Sequence, residues 1–246
     1  MAVTVDVLAN KTILVERALV CSTSRIMKAI SERGQAAIAL SGGSTPKPLY
    51  EALAHQALPW EKIHIFWGDE RYVPADHPDS NQRMARLAWL DHIDIPEGNI
   101  HPMPTDANDP AGDAQAYEQT LTDVFQLEPG QFPLFDLILL GLGDDGHTAS
   151  LFPHTDALQV CDRLITVGNK AGQPRLTFTI PLINQARAVV FLVAGASKQA
   201  ALAEIFAADA NAQHYPARFI QPQGELIWLL DQAAGENLVT ESASPA

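Results

Sequence analysis

Short apolar runs that alternate with longer helix-patterned segments are the feature that most constrains the fold of this chain. Several of the runs are apolar at nearly every position, as expected of strands covered on both faces in a mostly parallel sheet. Strands separated by helices predict an α/β fold with a doubly wound, Rossmann-like sheet and helices on both faces. The predicted strands are 36–40, 63–67, 135–140, 164–167, 176–180, 188–194 and 226–230.

The segments between these runs have the periodicity of helices. Residues 10–33 carry an apolar stripe typical of a helix that packs on a core. The stripe comprises a seven-residue repeat, Ile13, Val20 and Met27, widened by Leu19, Ile26 and Ile30. Gly34 supplies a C-terminal stop. Further helices are predicted after Pro46, after Ser80, over 112–127 and from Ser197.

Length, composition and charge limit the classes of protein to which the chain can belong. Apolar residues make up 47% of the 246 residues, and we expect one α/β domain over 1–246 with a frayed tail from about residue 235. The net charge of −13 provides no basic stripe for nucleic acid. No apolar run approaches the roughly 20 residues of a membrane helix. Cys21 and Cys161 lack CxxC neighbours, and no signal segment is recognised, so a cytoplasmic location is expected.

The segment 135–153 is the most informative part of the sequence. Its apolar run stops at Gly141, and a glycine-bent loop follows with Asp144, Asp145 and His147 at its tip. Ligands of open α/β sheets bind at the carboxyl ends of strands, where this loop is expected. A histidine there is placed to move protons, because its ordinary pKa is close to neutral pH.

Three other loops follow predicted strands and carry groups that bind anions. Ser41, Gly42, Gly43, Ser44 and Thr45 form a turn before a helix, which suits either an anion pocket or simply a well-capped turn in which Ser44 or Thr45 is the cap.

Asp69, Glu70 and Arg71 follow the second strand, and Lys198 follows the strand that ends near residue 194. An arginine grips phosphate through two parallel hydrogen bonds. Four such loops at one sheet edge predict a site, although each alone is a weak signal.

Taken in order, these motifs resemble those of the 6-phosphogluconolactonase family. They are Ser41–Pro46, Gly68–Arg71, Asp79–Asn81, Gly143–Pro153 and Gly195–Lys198, and the resemblance extends from about residue 10 to Asp231. It implies hydrolysis of 6-phospho-D-glucono-1,5-lactone to 6-phospho-D-gluconate, the second step of the oxidative pentose phosphate pathway. It also implies the fold of the amino-sugar-phosphate isomerases, a phosphorylated sugar lactone as the partner molecule, and no metal or organic cofactor.

The resemblance also implies roles for individual residues. His147 matches the catalytic histidine and is expected to act as a general acid–base, with Asp145 or Asp69 orienting its ring or holding sugar hydroxyls. Arg71 or a loop N–H is the expected oxyanion donor. The positions expected to bind substrate are Ser41, Gly42, Gly43, Ser44, Thr45, Arg71, Gly146, Arg175 and Lys198. A helix N-terminus at His147, with Asp144 complementing it, would favour neutral imidazole.

Two alternatives share parts of this pattern. Glucosamine-6-phosphate deaminase/isomerase relatives carry Asn-Glu shortly after the histidine and a tyrosine after Asp-Glu, where this chain has Leu151, Phe152 and Arg71. A non-catalytic sugar-phosphate sensor would retain the phosphate loops without needing the histidine. The chain has neither the spare length for a helix-turn-helix domain nor the basic charge for DNA. Lactone hydrolysis is therefore the favoured prediction.

Overall fold

Two sheets organise the part of the chain that the computed structural model describes, residues 2–241. The strands are β1 (Ala2–Leu8), β2 (Ala36–Leu40), β3 (Ile63–Trp67), β4 (Asp69–Arg71), β5 (Ile100–His101), β6 (Leu137–Leu140), β7 (Ile165–Lys170), β8 (Gln173–Phe178), β9 (Ala188–Val193) and β10 (Glu225–Asp231). The helices are α1 (Lys11–Arg33), α2 (Lys47–Leu53), α3 (Asn81–Ala88), α4 (Pro110–Phe125), α5 (Ile180–Asn184), α6 (Gln199–Phe206) and α7 (Gln232–Glu241).

The larger sheet has seven parallel strands in the order β1-β10-β9-β6-β2-β3-β5. Its inner strands are buried along their length, which explains their apolar sequences. Asp6 of β1 pairs with Arg17 of α1 at 2.9 Å, whereas the next residue, Val7, packs against Gly235 of α7. Since successive strand side chains point to opposite faces, α1 and α7 cover opposite faces of the sheet. The prediction of a doubly wound α/β fold is confirmed.

The smaller sheet is antiparallel and was not expected. It has the order β4-β8-β7, so two predicted strands, 164–167 and 176–180, belong to it rather than to the parallel sheet. β4 has the polar sequence Asp-Glu-Arg and β5 has two residues, so neither carries an apolar signal. β1, by contrast, alternates valine with polar residues and is not among the predicted strands. The small sheet lies where β3 leads through Gly68 into β4, next to the predicted site.

The apolar stripe predicted for α1 is wrong in the three residues of its seven-residue repeat. Ile13, Val20 and Met27 are 39%, 58% and 46% exposed, so the seven-residue repeat faces away from the sheet. The buried face instead consists mostly of small side chains, which allow a helix to lie close to its neighbours. These residues are Leu14, Ala18, Cys21, Ser22, Ile26 and Ala29. The helix ends at Gly34 as predicted.

The C-terminal segment contains a helix where a frayed tail is predicted to start, at about residue 235. This helix, α7, extends from Gln232 to Glu241 and packs on α6, β1 and β10. Ala234 is buried in this contact. Residues 242–246 lie outside the described part of the chain. Among the described residues, no helix combines the length and apolar composition needed to cross a membrane.

Two buried tyrosines fix the strand ends that lead into the predicted site. The hydroxyl of Tyr50 on α2 accepts from Ser41 N at 3.0 Å and donates to Ser41 O at 2.8 Å, at the end of β2. The hydroxyl of Tyr117 on α4 accepts from Trp67 N at 3.2 Å and donates to His101 O at 2.9 Å. Both side chains are fully buried. Helices on either side of the sheet therefore hold the ends of β2 and β3.

A histidine pair at the β3–β5 edge predicts acid sensitivity. Burial, and to a lesser degree the neighbouring His64, lower the pKa of His101 to about 4 from 6.5. The unfolded chain therefore binds a proton at this site below about pH 6.5, whereas the folded chain does not until about pH 4. We expect this site to remove up to about 2 kcal/mol of the free energy of unfolding between pH 7 and pH 5.

The test is urea unfolding of wild type and His101→Phe, which keeps an aromatic ring on Phe66, 4.5 Å away. The variant should lose less stability than wild type between pH 7 and pH 5. His55→Phe, at an exposed histidine, is the control and should follow wild type. Parallel curves for wild type and His101→Phe would show that His101 does not cause the acid sensitivity.

Candidate active site

The predicted loops converge on a cavity of about 230 Å³ at the carboxyl ends of the parallel strands. The predicted site residues that line it are Ser41, Gly42, Asp69, Arg71, His147, Arg175 and Lys198. Lining residues that the sequence did not single out for the site are Asn81, Gly141, Leu142, Gly143, Thr148 and Ala149. The predicted residues that lie beside the cavity without lining it are Gly43, Ser44, Thr45, Asp145 and Gly146.

His147 is held by Asp145. The carboxylate oxygen Oδ1 of Asp145 contacts His147 Nδ1 and also accepts from His147 N at 3.1 Å. The hydrogen bond from His147 is the main cause that lowers the pKa of Asp145 to about 2, so this carboxylate is ionised at neutral pH. An ionised carboxylate only accepts, so Nδ1 donates, which leaves Nε2 directed away from Asp145.

Gly143 provides the space for this arrangement. A Cβ atom added to Gly143 would lie 2.0 Å from His147 Nδ1 and 2.7 Å from Asp145 Oδ1. The ring therefore packs directly on the glycine backbone. Gly143 N donates to His147 O at 2.8 Å, which closes the loop around the pair. Gly143 is thus needed for the orientation of His147, because a side chain at this position would collide with the imidazole ring.

The helix N-terminus expected at His147 is absent from this loop. Residues 141–151 form turns, closed by the hydrogen bond from Thr148 Oγ1 to Gly141 O at 2.9 Å and by a short bridge between Thr148 and Leu151. The orientation of His147 therefore comes from Asp145 and not from a helix dipole. Ala149, which lines the cavity, has φ +48°, a left-handed conformation that is uncommon for a residue with a side chain.

Phe152 packs against two of the cavity groups. Its ring centroid lies 4.5 Å from that of His147, and the guanidinium carbon of Arg175 lies 5.8 Å from it on the β8 side. Cations are attracted to aromatic faces at this range. This apolar residue of the Gly143–Pro153 motif therefore lies between the imidazole and the small sheet.

Arg71 and Arg175 lie directly opposite each other in the antiparallel pair of β4 and β8. Like charges at such positions repel. Burial, and next the charge of Arg71, lower the pKa of Arg175, whose buried Nε has no hydrogen-bond partner among the described residues. Two guanidinium groups at the cavity wall are thus placed at an energetic cost that a bound anion would offset.

Glu70 fixes the position of Arg71 although its carboxylate does not line the cavity. Its side chain is 2% exposed and accepts hydrogen bonds from Arg71 N, Asn81 N and Gln82 N, each at 2.8 Å, and from Ser80 Oγ at 3.1 Å. Burial raises the pKa of Glu70, and the three backbone N–H donors oppose that effect by favouring the carboxylate. The start of α3 therefore lies on a buried carboxylate.

Asn81 links this network to the cavity. Its Oδ1 accepts from Arg71 Nη1 at 2.5 Å and its Nδ2 donates to Asp69 O at 2.8 Å. Arg71 Nη1 also donates to Asp79 O at 2.8 Å. A Cβ atom on Gly42 would lie 1.7 Å from Asn81 Oδ1, so the first glycine of the Ser41 loop is needed for this contact.

The two carboxylates considered as partners of His147 have different positions. Asp145 contacts the imidazole, whereas Asp69 Oδ2 accepts from the buried Ser150 Oγ at 2.7 Å. Ser150 N in turn donates to Thr177 Oγ1 on β8 at 3.2 Å. Asp69 therefore joins the 147–151 turn to the small sheet while it lines the cavity.

The Ser41 loop and Lys198 differ from the expected local structure. Pro46 is the N-cap of α2 and no side chain caps that helix, so the cap expected from Ser44 or Thr45 is absent. The helix predicted from Ser197 starts two residues later, at Gln199, so Lys198 lies directly before α6 and not in its first turn. Its Nζ contacts Asp144 Oδ1. Asp144, expected to complement a helix start, instead pairs with this lysine. Among residues 2–241, no group of three or more His, Cys, Asp or Glu side chains is arranged to hold a metal ion.

Comparisons with known proteins show the family of this chain. The family model described as glucosamine-6-phosphate isomerases/6-phosphogluconolactonase matches residues 9–228. The chain belongs to this family. It is 80% identical over 238 residues to a 6-phosphogluconolactonase of Synechocystis sp., which covers 97% of this chain and 99% of that protein. It is 62% identical to a 6-phosphogluconolactonase of Nostoc sp., with the same coverage.

The fold is shared with solved members of the family. The structure of 6-phosphogluconolactonase from Trypanosoma brucei is similar with a TM-score of 0.86 at 35% sequence identity, covering 96% of this chain and 98% of that chain. The resemblance found in the motifs is confirmed at the level of the family.

The Glu70 network predicts a large loss of stability in Glu70→Gln. The amide group of glutamine would point an N–H at backbone donors, so at least one buried hydrogen-bond donor would be left unsatisfied. We expect the free energy of unfolding, measured in urea at neutral pH, to fall by about 2–3 kcal/mol. Asp79→Asn, at a neighbouring side chain that is 76% exposed, is the control and should change stability by less than about 0.5 kcal/mol. Equal effects of the two substitutions would contradict this role of Glu70.

Proposed function

We propose that this protein is a 6-phosphogluconolactonase, a hydrolase that converts 6-phospho-D-glucono-1,5-lactone to 6-phospho-D-gluconate in the oxidative pentose phosphate pathway. The observation that carries the proposal is that one cavity holds an opposed pair of arginines and a histidine oriented by an ionised carboxylate. The arginines suit a phosphate group, and the histidine suits a proton transfer at the other end of a small sugar. The names of the relatives support the same reaction.

The phosphate would be held by Arg71, Arg175 and Lys198. All three cations line the cavity in a chain whose net charge is −13, so attraction for an anion is local to this site. A phosphate dianion between the guanidinium groups would relieve their mutual repulsion and supply a partner for the donors of Arg175. Ser41, whose buried Oγ has no partner among the described residues, lines the same cavity.

His147 would act as general base and then as general acid. With Nδ1 donating to Asp145, Nε2 takes a proton from the water that attacks the lactone carbonyl carbon. The tetrahedral intermediate then collapses, the bond from C1 to the ring oxygen breaks, and His147 returns the proton to that oxygen. A lactone carbonyl is already electrophilic, so these steps need no metal or organic cofactor.

The residues after the histidine favour hydrolysis over the deaminase and isomerase activity of other family members. Leu151 and Phe152 stand where relatives of that type carry Asn-Glu, and both are buried, with Phe152 packed on His147. This position therefore offers no additional acid–base group for sugar ring opening. The non-catalytic sensor is disfavoured because it leaves the oriented His147–Asp145 pair without a purpose.

The proposal includes a cytoplasmic site of action. Its support is that Cys21 and Cys161 are both free, one buried and one exposed. Unpaired cysteines are the usual state in a reducing compartment. The proposed substrate is likewise a charged small molecule that does not cross membranes unaided.

His147→Gln should lower turnover by about 10²–10⁴-fold while leaving the affinity for 6-phosphogluconate nearly unchanged, because it removes the proton transfer and no phosphate contact. The measurement is hydrolysis of freshly generated lactone with spontaneous hydrolysis subtracted, together with product binding by calorimetry. His55→Gln, at an exposed histidine after α2, is the matched control. Wild-type turnover in His147→Gln would refute the assigned role.

Lys198→Ala should raise the KM for the phosphorylated lactone about tenfold, because it removes a charged hydrogen-bond donor from the phosphate. Its kcat should change much less than its KM. The KM for δ-gluconolactone, which lacks the phosphate, should stay the same in steady-state assays of both enzymes. An unchanged KM for the phosphorylated substrate would count against Lys198 as a phosphate ligand.

A further inference from the structure

The ammonium group of Lys198 already has an anionic partner. Asp144 Oδ1 contacts Lys198 Nζ and accepts from Ser197 Oγ at 3.0 Å. The two side chains differ in environment: that of Lys198 is 19% exposed and lines the cavity, whereas that of Asp144 is 67% exposed and lies on the rim. Asp144, which does not line the cavity, thus contacts a cation that does.

This pairing is not explained by the stability of the fold. An ion pair with one partner so exposed contributes little to the free energy of unfolding. The hydrogen bond from Lys198, followed by that from Ser197, holds the pKa of Asp144 below its usual value, so Asp144 is charged throughout the neutral range. Its charge is directed at one of the three cations that face the cavity.

We propose that Asp144 sets the affinity of the site for phosphate-bearing ligands by neutralising part of the charge of Lys198. The inference rests on the proposed function, in which Lys198 binds the phosphate. Asp144 weakens that binding in two ways: it occupies one of the three ammonium donors, and its negative charge repels the phosphate dianion. Substrate and product both carry the phosphate, so Asp144 lowers the affinity of the site for both of them.

An alternative role for Asp144 predicts the opposite sign. If Asp144 served only to aim Lys198 into the cavity, removing its charge would release the lysine and weaken phosphate binding. If it limits the charge available to the phosphate, the same change strengthens binding. Asp144→Asn separates the two roles, because the asparagine keeps an acceptor oxygen for Ser197 and Lys198 while it loses the negative charge.

The experiment compares Asp144→Asn with wild type in steady-state assays. At low ionic strength we expect KM for the phosphorylated lactone, and the inhibition constants of inorganic phosphate and 6-phosphogluconate, to fall about two- to fivefold. In 1 M salt, where screening acts over about 3 Å, the difference should shrink. The KM for δ-gluconolactone should not change. Asp94→Asn, which removes an exposed charge from the segment before β5, is the control and should match wild type.

The same measurements in a Lys198→Ala background complete the test. The effect of Asp144→Asn should disappear there, since it acts through the lysine. If Lys198→Ala raises KM but Asp144→Asn leaves it unchanged or raises it, the role of Asp144 is wrong and the phosphate role of Lys198 stands. If Lys198→Ala has no effect on KM, the assignment of Lys198 fails together with the inference. An equal fall in KM for both lactones would also contradict the proposal, because it would not depend on the phosphate.

Discussion

The buried carboxylate of Glu70 is the interaction on which the proposed anion-binding half of the site depends. It gathers four donors, from Arg71, Ser80, Asn81 and Gln82, and so joins β4 to the start of α3. Asn81 then contacts the guanidinium of Arg71. A single buried charge, stabilised by N–H groups at a helix N-terminus, therefore determines where a cavity cation lies.

The small antiparallel sheet gives the site its second arginine. A parallel sheet alone brings loops together at one edge. Here β8 also places Arg175 opposite Arg71 on β4, a strand that is separated from β3 by one residue. Ser150 connects the 147–151 turn to the same sheet through Asp69 and Thr177. The turn that carries His147 is thus hydrogen-bonded to the strands that carry Arg71 and Arg175, and Phe152 packs between His147 and Arg175.

Much of this arrangement could be predicted from local sequence. β2 and β3 have the predicted boundaries, and Ser41, Arg71, His147 and Lys198 converge because they follow strands of one sheet. The wrong predictions concern features that tertiary contacts determine. The stripe Ile13, Val20 and Met27 has a helical period, but the face of α1 with small residues packs on the sheet. Glu70 and Asp144 look equally solvated in the sequence, yet one is buried under backbone donors and the other pairs with Lys198.

A crystal structure with bound 6-phosphogluconate tests the central claim most directly. The account predicts that the phosphate lies between Arg71 and Arg175, within hydrogen-bond distance of both and of Lys198 Nζ. It also predicts that the carboxylate formed from the lactone carbonyl lies next to His147 Nε2. A product bound in the reverse orientation, with its phosphate at His147 and its carboxylate between the arginines, would contradict the account.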